Sequence, residues 1–177
     1  MNNIYLVGFM GTGKTAAGQE LAKKKKLQFV DLDELIELRE KRVISDIFAK
    51  DGEPYFRKVE KRVLKEVSQE KKFVVACGGG IVLDKENITI MKDTGIIICL
   101  TASPAVILER TRAYSHRPLL NVSHPRKQIE LLLKFRSPYY AQADKTIDTS
   151  KISIREVVER IIRLISIKAK VRGKRKK

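Results

Sequence analysis

The sequence predicts an α/β fold, a three-layer α/β/α sandwich with a parallel sheet at its centre. Short apolar runs recur without clean alternation, as strands covered on both faces of a parallel sheet require. Helical segments with recognisable start signals lie between them, giving a βαβα rhythm that implies right-handed crossovers. A glycine-rich loop joins the first run to the first helix, and in such folds ligands collect at the carboxyl ends of the strands.

The first strand is expected at Ile4-Tyr5-Leu6-Val7, and the helix-compatible run Ala16-Ala17-Gly18-Gln19-Glu20-Leu21 follows the loop. Further strands are expected at Phe29-Val30-Asp31, Phe73-Val74-Val75-Ala76-Cys77, Ile96-Ile97-Ile98-Cys99-Leu100 and Thr146-Ile147-Asp148. Gly52-Glu53-Pro54 starts a helix whose apolar positions are Phe56, Val59, Val63 and Val67, with Pro54 in its first turn. Ser103-Pro104 opens another, ending near Arg110-Thr111. Arg136-Ser137-Pro138 falls where a helix is expected to be interrupted. Ser153-x-x-Glu156 is a capping box for the last helix, whose Ile154, Val157, Val158, Ile161, Ile162 and Ile165 form one apolar stripe. Only Ala113 to His124 lacks periodicity of either kind.

At 177 residues the chain has the length of one domain able to bury a sizeable core. No apolar run approaches the ~18 residues of a membrane span, and a first strand near Asn3 leaves no room for a targeting peptide. Cys77 and Cys99 sit in apolar runs and are expected as buried thiols in a reducing, cytoplasmic setting. The net charge of +16 is unevenly placed, because residues 168–177 carry seven basic side chains and no acid. A domain over residues 1–167 and a flexible basic tail over 168–177 follow. Such a tail could grip nucleic acid through its phosphates. With no aromatic interleaved, a solvated terminus is the expectation, and neither a nucleic-acid nor a membrane partner is expected.

Gly8-Phe9-Met10-Gly11-Thr12-Gly13-Lys14-Thr15 fits G-x-x-x-x-G-K-[ST], the phosphate-binding loop, in the strand–loop–helix context the motif needs. Its glycines let backbone N–H groups turn toward phosphate oxygens ahead of a helix N-terminus. Lys14 is placed to reach the terminal phosphates and the Thr15 hydroxyl to sit on Mg²⁺, so a nucleoside triphosphate is the expected ligand. Asp31-Leu32-Asp33 offers two carboxylates where phosphoryl transfer to an alcohol wants one for metal and one for the acceptor; equally, the pair suits a helix N-terminus. Gly78-Gly79-Gly80 after a buried strand reads as a ligand pressed against bare backbone, or as a mobile turn. Arg57 reads as an ordinary solvated charge or as a group oriented by Glu60, and Arg117 lies in the irregular stretch, as lid arginines of nucleotide kinases do.

In order and spacing these elements resemble the shikimate kinase family over nearly the whole chain. The family pattern is met by Gly8–Thr15, Asp31 and Asp33, Phe56-Arg57 with Glu60, Gly78-Gly79-Gly80, Arg117-Pro118-Leu119-Leu120, Arg136-Ser137-Pro138-Tyr139-Tyr140 and Asp148-Thr149. The resemblance implies a five-stranded parallel sheet in the order 2-3-1-4-5, a substrate-binding segment over about 32–60 and a lid over about 112–124. It implies ATP-dependent phosphorylation of the 3-hydroxyl of shikimate with Mg²⁺, one step on the route to chorismate and the aromatic amino acids; a monomer is the separate expectation.

Residue by residue, the resemblance gives Gly11, Thr12, Gly13, Lys14, Thr15 and Ala16 to the phosphates, with Thr15 on Mg²⁺ and Asp31 reaching it through water. Asp33 contacts the shikimate hydroxyls and is the candidate base, while Arg57, Gly79 and Arg136 hold the substrate. Arg110 packs by the adenine, Arg117 is the lid arginine, and Ser153 belongs to the loop closing the adenine side. Lys14, Asp33 and Arg117 form the implied catalytic set. A gluconate-type kinase or a nucleoside monophosphate kinase shares the phosphate loop and the lid, but neither explains Gly78-Gly79-Gly80 together with Asp31/Asp33 and Phe56-Arg57 with Glu60. A GTPase lacks its N-K-x-D segment here, and the intact Lys14, Thr15, Asp33 and Arg117 argue against a silent partner-binding relative.

Overall fold

The computed structural model describes residues 2–112 and 123–166, and the backbone of 167–174. Five parallel strands, β1 (Asn3–Val7), β2 (Gln28–Asp31), β3 (Phe73–Ala76), β4 (Gly95–Thr101) and β5 (Lys145–Asp148), form one sheet in the order β2-β3-β1-β4-β5. This is the order that the resemblance implies. Helices α1 (Lys14–Lys25), α2 (Leu32–Glu40), α3 (Ile44–Gln69), α4 (Lys85–Thr94), α5 (Pro104–Thr111), α6 (Pro125–Tyr140) and α7 (Ile154–Lys174) connect and follow the strands.

Alternate side chains of β1 build two cores. Tyr5 and Val7 join Val75, Ile97 and the inner faces of α2, α3 and α4. Ile4 and Leu6 join Val74, Ile98 and the inner faces of α1 and α7. A third cluster, Phe9, Ala102, Ile107 and Ile129, seats α5 and α6 at the carboxyl end of the sheet. The expectation of strands covered on both faces holds for β1 and β4 and fails at the edges. In β5 only Ile147 is buried, and β2 is half-exposed, because an edge strand has no neighbour on one side.

Local signals act as the sequence proposed. The Ser103 hydroxyl accepts from the Val106 N–H, and the Ser153 and Glu156 side chains accept from each other's backbone N–H. Gly52 interrupts α3 at φ 78°, so the helix bearing Arg57 starts afresh with Pro54 in its first turn. One expectation fails: α6 is not interrupted at Arg136-Ser137-Pro138 but runs on to Tyr140. Pro138 forfeits the bond to the Lys134 carbonyl, but only two residues of the helix follow it. Tyr140, buried in the first core and bonded through its hydroxyl to the Gly79 carbonyl, ties down the last turn. At the C-terminus α7 continues through 168–174, residues which the sequence reading assigns to the basic tail.

Candidate active site

All the groups implicated by the sequence and described in the structure lie at the carboxyl end of the sheet. Gly8 leaves β1 at φ +137°, and a Cβ there would fall 2.1 Å from the Leu100 carbonyl oxygen, so the loop begins where only glycine passes. The loop closes on α1, whose first turn has no side-chain cap; its N–H groups are therefore directed into the loop, ready for an anion. Lys14 Nζ donates to the carbonyls of Gly8 (2.9 Å) and Phe9 (3.0 Å), curling over the loop it would serve. Buried Thr12 donates through its hydroxyl to the Phe9 carbonyl, so only its backbone faces the loop's interior.

Of the two readings of the Asp31–Asp33 pair, the structure shows the helix cap, made by one oxygen of Asp31. Asp31 Oδ1 caps α2 by accepting from the Asp33 N–H, while Oδ2 accepts from the Thr15 hydroxyl at 2.8 Å. Asp33 instead reaches the glycine turn. Burial, then the neighbouring Asp31 charge, push its carboxyl up to about 6, against the pull of Lys14 and Arg57. Glu60 faces the same point from α3 and is 1% exposed. Its Oε2 accepts from Arg57 Nη1 at 2.7 Å, its Oε1 has no hydrogen-bond partner, and burial pushes it up to about 7 despite Arg57.

Each residue of the glycine triplet meets a different functional group. A Cβ on Gly78 would lie 2.8 Å from both Asp33 Oδ1 and Glu60 Oε1. One on Gly79 would lie 3.4 Å from Arg136 Nη1, and one on Gly80 would lie 2.3 Å from Arg57 Nη2. The backbone is bare here because the site's own charged side chains rest on it. Arg57 is fixed by Glu53, which accepts from Nε (3.1 Å) and Nη2 (2.9 Å), and by Glu60. It is therefore not a solvated charge. Arg136, 7% exposed, stacks over the Phe9 ring at 5.5 Å and donates to the Gly79 carbonyl, with its Nε unbonded. Tyr140 donates to that same carbonyl at 2.6 Å.

The far side of the loop is joined by Arg110, which donates to the Gly11 carbonyl and to Thr149 Oγ1 and O. Thr149, 1% exposed, donates to the carbonyls of Thr12 and Thr101, tying the end of β5 to the phosphate loop. Ser153 begins α7, with its hydroxyl committed to Glu156, while Ile154 packs beside Gly13. Gly11, Gly13 and Ala16 lie in the loop and first turn as expected. Arg117, with residues 113–122 of the expected lid, lies outside the described residues.

Sequence reasoning left out Tyr140, Phe9 and Glu53 as site-building groups. Glu53, four residues before Arg57 on one helix, was legible as an i,i+4 pair. The other two act across 61 residues or more and leave no local signal.

Comparisons with known proteins agree with this geometry. A family model for shikimate kinase matches residues 10–166. The chain is 47% identical to a shikimate kinase of Thermodesulfovibrio yellowstonii, over 92% of this chain and 94% of that protein. It is 44% identical to one of Thermoanaerobacter pseudethanolicus, over 92% and 95%. Among solved structures, shikimate kinase from Acinetobacter baumannii in complex with shikimate superposes with a TM-score of 0.91 at 38% identity, covering 95% of this chain and 94% of that one. The enzyme from Aquifex aeolicus superposes with a TM-score of 0.78 at 34% identity, covering 97% and 99%. With its sheet order, phosphate loop and glycine turn all in place, the chain belongs to the shikimate kinase family.

Proposed function

We propose that this protein transfers the terminal phosphoryl group of ATP to the 3-hydroxyl of shikimate. The observation that carries the reading is the convergence of Arg57, Arg136 and Asp33 on Gly78–Gly80, beside the phosphate loop. Two guanidiniums suit a planar carboxylate, which a lysine ammonium would hold less specifically. Asp33 suits the ring hydroxyls, and the backbone groups of the glycine turn add short polar contacts.

The transfer asks little covalent chemistry of the protein. Lys14 swings from the Gly8 and Phe9 carbonyls onto the phosphates, and the first-turn N–H groups of α1 neutralise charge there. Asp33 orients the acceptor hydroxyl and takes its proton, a role for which a carboxyl raised to about 6 is better matched than an ordinary one. Arg57 and Arg136 fix the ring so that the hydroxyl lies in line with the phosphoryl group. Arg110, Thr149 and Ser153 border the adenine side, and Arg117 closes over the phosphoryl group from the 112–124 lid, excluding water.

Mg²⁺ fits the oxygen donors present. Thr15 Oγ1 would hold it directly and Asp31 through water, and these atoms already lie 2.8 Å apart as a hydrogen-bonded pair. Among the described residues no cluster of three acidic, histidine or cysteine side chains could hold a metal, which suits an ion carried mainly by the nucleotide. Bound there, it would offset charge on the phosphates. We place the reaction in the cytoplasm, a reading supported by two free, buried thiols.

The test is ADP release with Mg-ATP and, separately, shikimate, gluconate or AMP. Rapid turnover is expected with shikimate alone. Comparable rates with gluconate or AMP would overturn the substrate assignment while leaving the kinase fold intact.

A further inference from the structure

Four consecutive carbonyls run through the glycine turn, and each is engaged within the protein. The Gly78 carbonyl accepts from the Ile81 N–H at 3.2 Å and the Gly80 carbonyl from the Leu83 N–H at 3.0 Å, which closes the 3₁₀ turn Ile81–Leu83. The Gly79 carbonyl takes Tyr140 and Arg136. The fourth, on Ile81, accepts from Asn87 Nδ2 at 3.1 Å. The N–H groups of Gly79 and Gly80, by contrast, have no acceptor among the described residues, so they are what the turn has left to offer a ligand.

Asn87 is an unexpected residue for its place. It lies in the first turn of α4, buried with Ile88 and Met91 and 2% exposed. Its Oδ1 makes no hydrogen bond, so an acceptor is buried at a cost that a leucine of similar size would avoid. Capping does not account for it, because Asp84 caps α4 by accepting from the Glu86 N–H at 2.8 Å. The other Asp84 oxygen pairs with Lys61 of α3 at 2.7 Å, which anchors this end of α4. The one bond that Asn87 makes thus runs from a fixed helix to the last carbonyl of the turn. A half-satisfied buried amide calls for a reason beyond packing. The geometry points to Asn87 as a positioning residue for substrate recognition: through the Ile81 carbonyl it fixes the glycine turn, and with it the bare N–H groups and the backbone on which Asp33, Arg57 and Arg136 rest. The rival is a local clamp that only joins the 3₁₀ turn to the helix six residues on. The inference rests on the shikimate reading above, and the two fail in different measurements.

Asn87→Leu exchanges one orphaned acceptor, Oδ1, for another, the Ile81 carbonyl, so the melting temperature should stay within about 4 °C of wild type. The shikimate KM should rise about tenfold, with kcat and the ATP KM changed less than about threefold. Met91→Ala, one turn further along α4, opens a cavity without removing the bond to the turn. It should lower the melting temperature more, yet leave the shikimate KM within about twofold. An unchanged shikimate KM in Asn87→Leu, an equal rise in its ATP KM, or the same shikimate effect in Met91→Ala would make Asn87 a structural group and overturn the proposal. A second measurement needs no variant. In the wild-type protein the Asn87 side-chain amide resonance should shift on adding shikimate, together with the Gly79 and Gly80 amides; glycine shifts with Asn87 unmoved would overturn the coupling. If shikimate moves none of them and drives no turnover, the substrate reading falls, and hydrogen exchange of the unliganded protein decides the positioning role alone. There the Ile81 and Leu83 amides should exchange at least about tenfold faster in Asn87→Leu, with Val75 and Ala76 of β3 unchanged. Equal rates would overturn it.

Discussion

Replacing Asp33 by asparagine should make the protein more stable and the enzyme worse. The Asp33 carboxyl is raised from 3.8 to about 6, chiefly by burial and then by Asp31. The folded state therefore binds more protons than the unfolded state between those values. Any stability tied to the protonated carboxyl is complete below about pH 4 and lost as pH rises through about 6. Two units at 1.36 kcal/mol each leave wild type about 3 kcal/mol less stable above pH 6 than a neutral isostere in the same place. Asparagine carries no charge to desolvate, so Asp33→Asn should gain about 1–3 kcal/mol at pH 7.5, the lower end allowing for its own buried amide. The gain should vanish near pH 4. Urea unfolding at both pH values, without ligands, measures this directly. Turnover at pH 7.5 should fall about 100-fold through loss of the base, and wild-type kcat/KM should decline tenfold per unit below about pH 6. An asparagine variant no more stable than wild type at pH 7.5 would show that Lys14 and Arg57 fully compensate the buried charge, and the reasoning would fail. A near-normal kcat with only a raised KM would reduce Asp33 to a binding group.

Three further outcomes are expected. Arg57→Ala or Arg136→Ala should weaken shikimate binding by roughly 2–5 kcal/mol with ATP affinity nearly unchanged; an unaltered shikimate KM in steady-state assays would remove that arginine from the clamp. Gly80→Ala puts a methyl against the movable end of Arg57, whereas Gly8→Ala puts one against the fixed Leu100 carbonyl. The first should raise the shikimate KM with little change in melting temperature and the second should unfold the loop, so similar melting curves for the two would contradict the geometry. Arg117→Ala should depress kcat about 10²–10³-fold while sparing shikimate affinity, and hydrogen exchange across 112–124 should slow when ATP and shikimate bind. Equal exchange in all states would end the lid mechanism.

What the sequence made legible was what acts locally. The phosphate loop, the capping box at Ser153 and the fresh helix start after Gly52 each depend on residues within one or two turns, and each stands where the pattern put it. The Asp31–Asp33 pair was ambiguous because both readings use the same two residues; the structure shows the cap, on Asp31 Oδ1. The tie from Tyr140 to Gly79 spans 61 residues and that from Thr149 to Thr12 spans 137. Nothing in the composition around either residue marks such a bond. The same blindness explains the helix expected to break at Pro138, where a tertiary contact outweighs a local preference.

Arg57 arrives at its task already engaged. Glu53 takes its Nε and Nη2 edge, and Glu60 takes Nη1. A substrate carboxylate seeking that edge would have to displace Glu53, which is 57% exposed, while buried Glu60 keeps its hold. Recognition through that edge would be an exchange of one carboxylate for another. The departing glutamate acts as a tethered competitor. Small monovalent anions cannot match its two-bonded grip, so the arginine stays guarded in a salty solution, yet a rigid ring acid that makes further contacts can win. Affinity can therefore be adjusted at a position that need not touch the ligand: Glu53→Gln should tighten shikimate binding several-fold by calorimetry, and weaker binding would show that Glu53 aids the ligand and does not rival it.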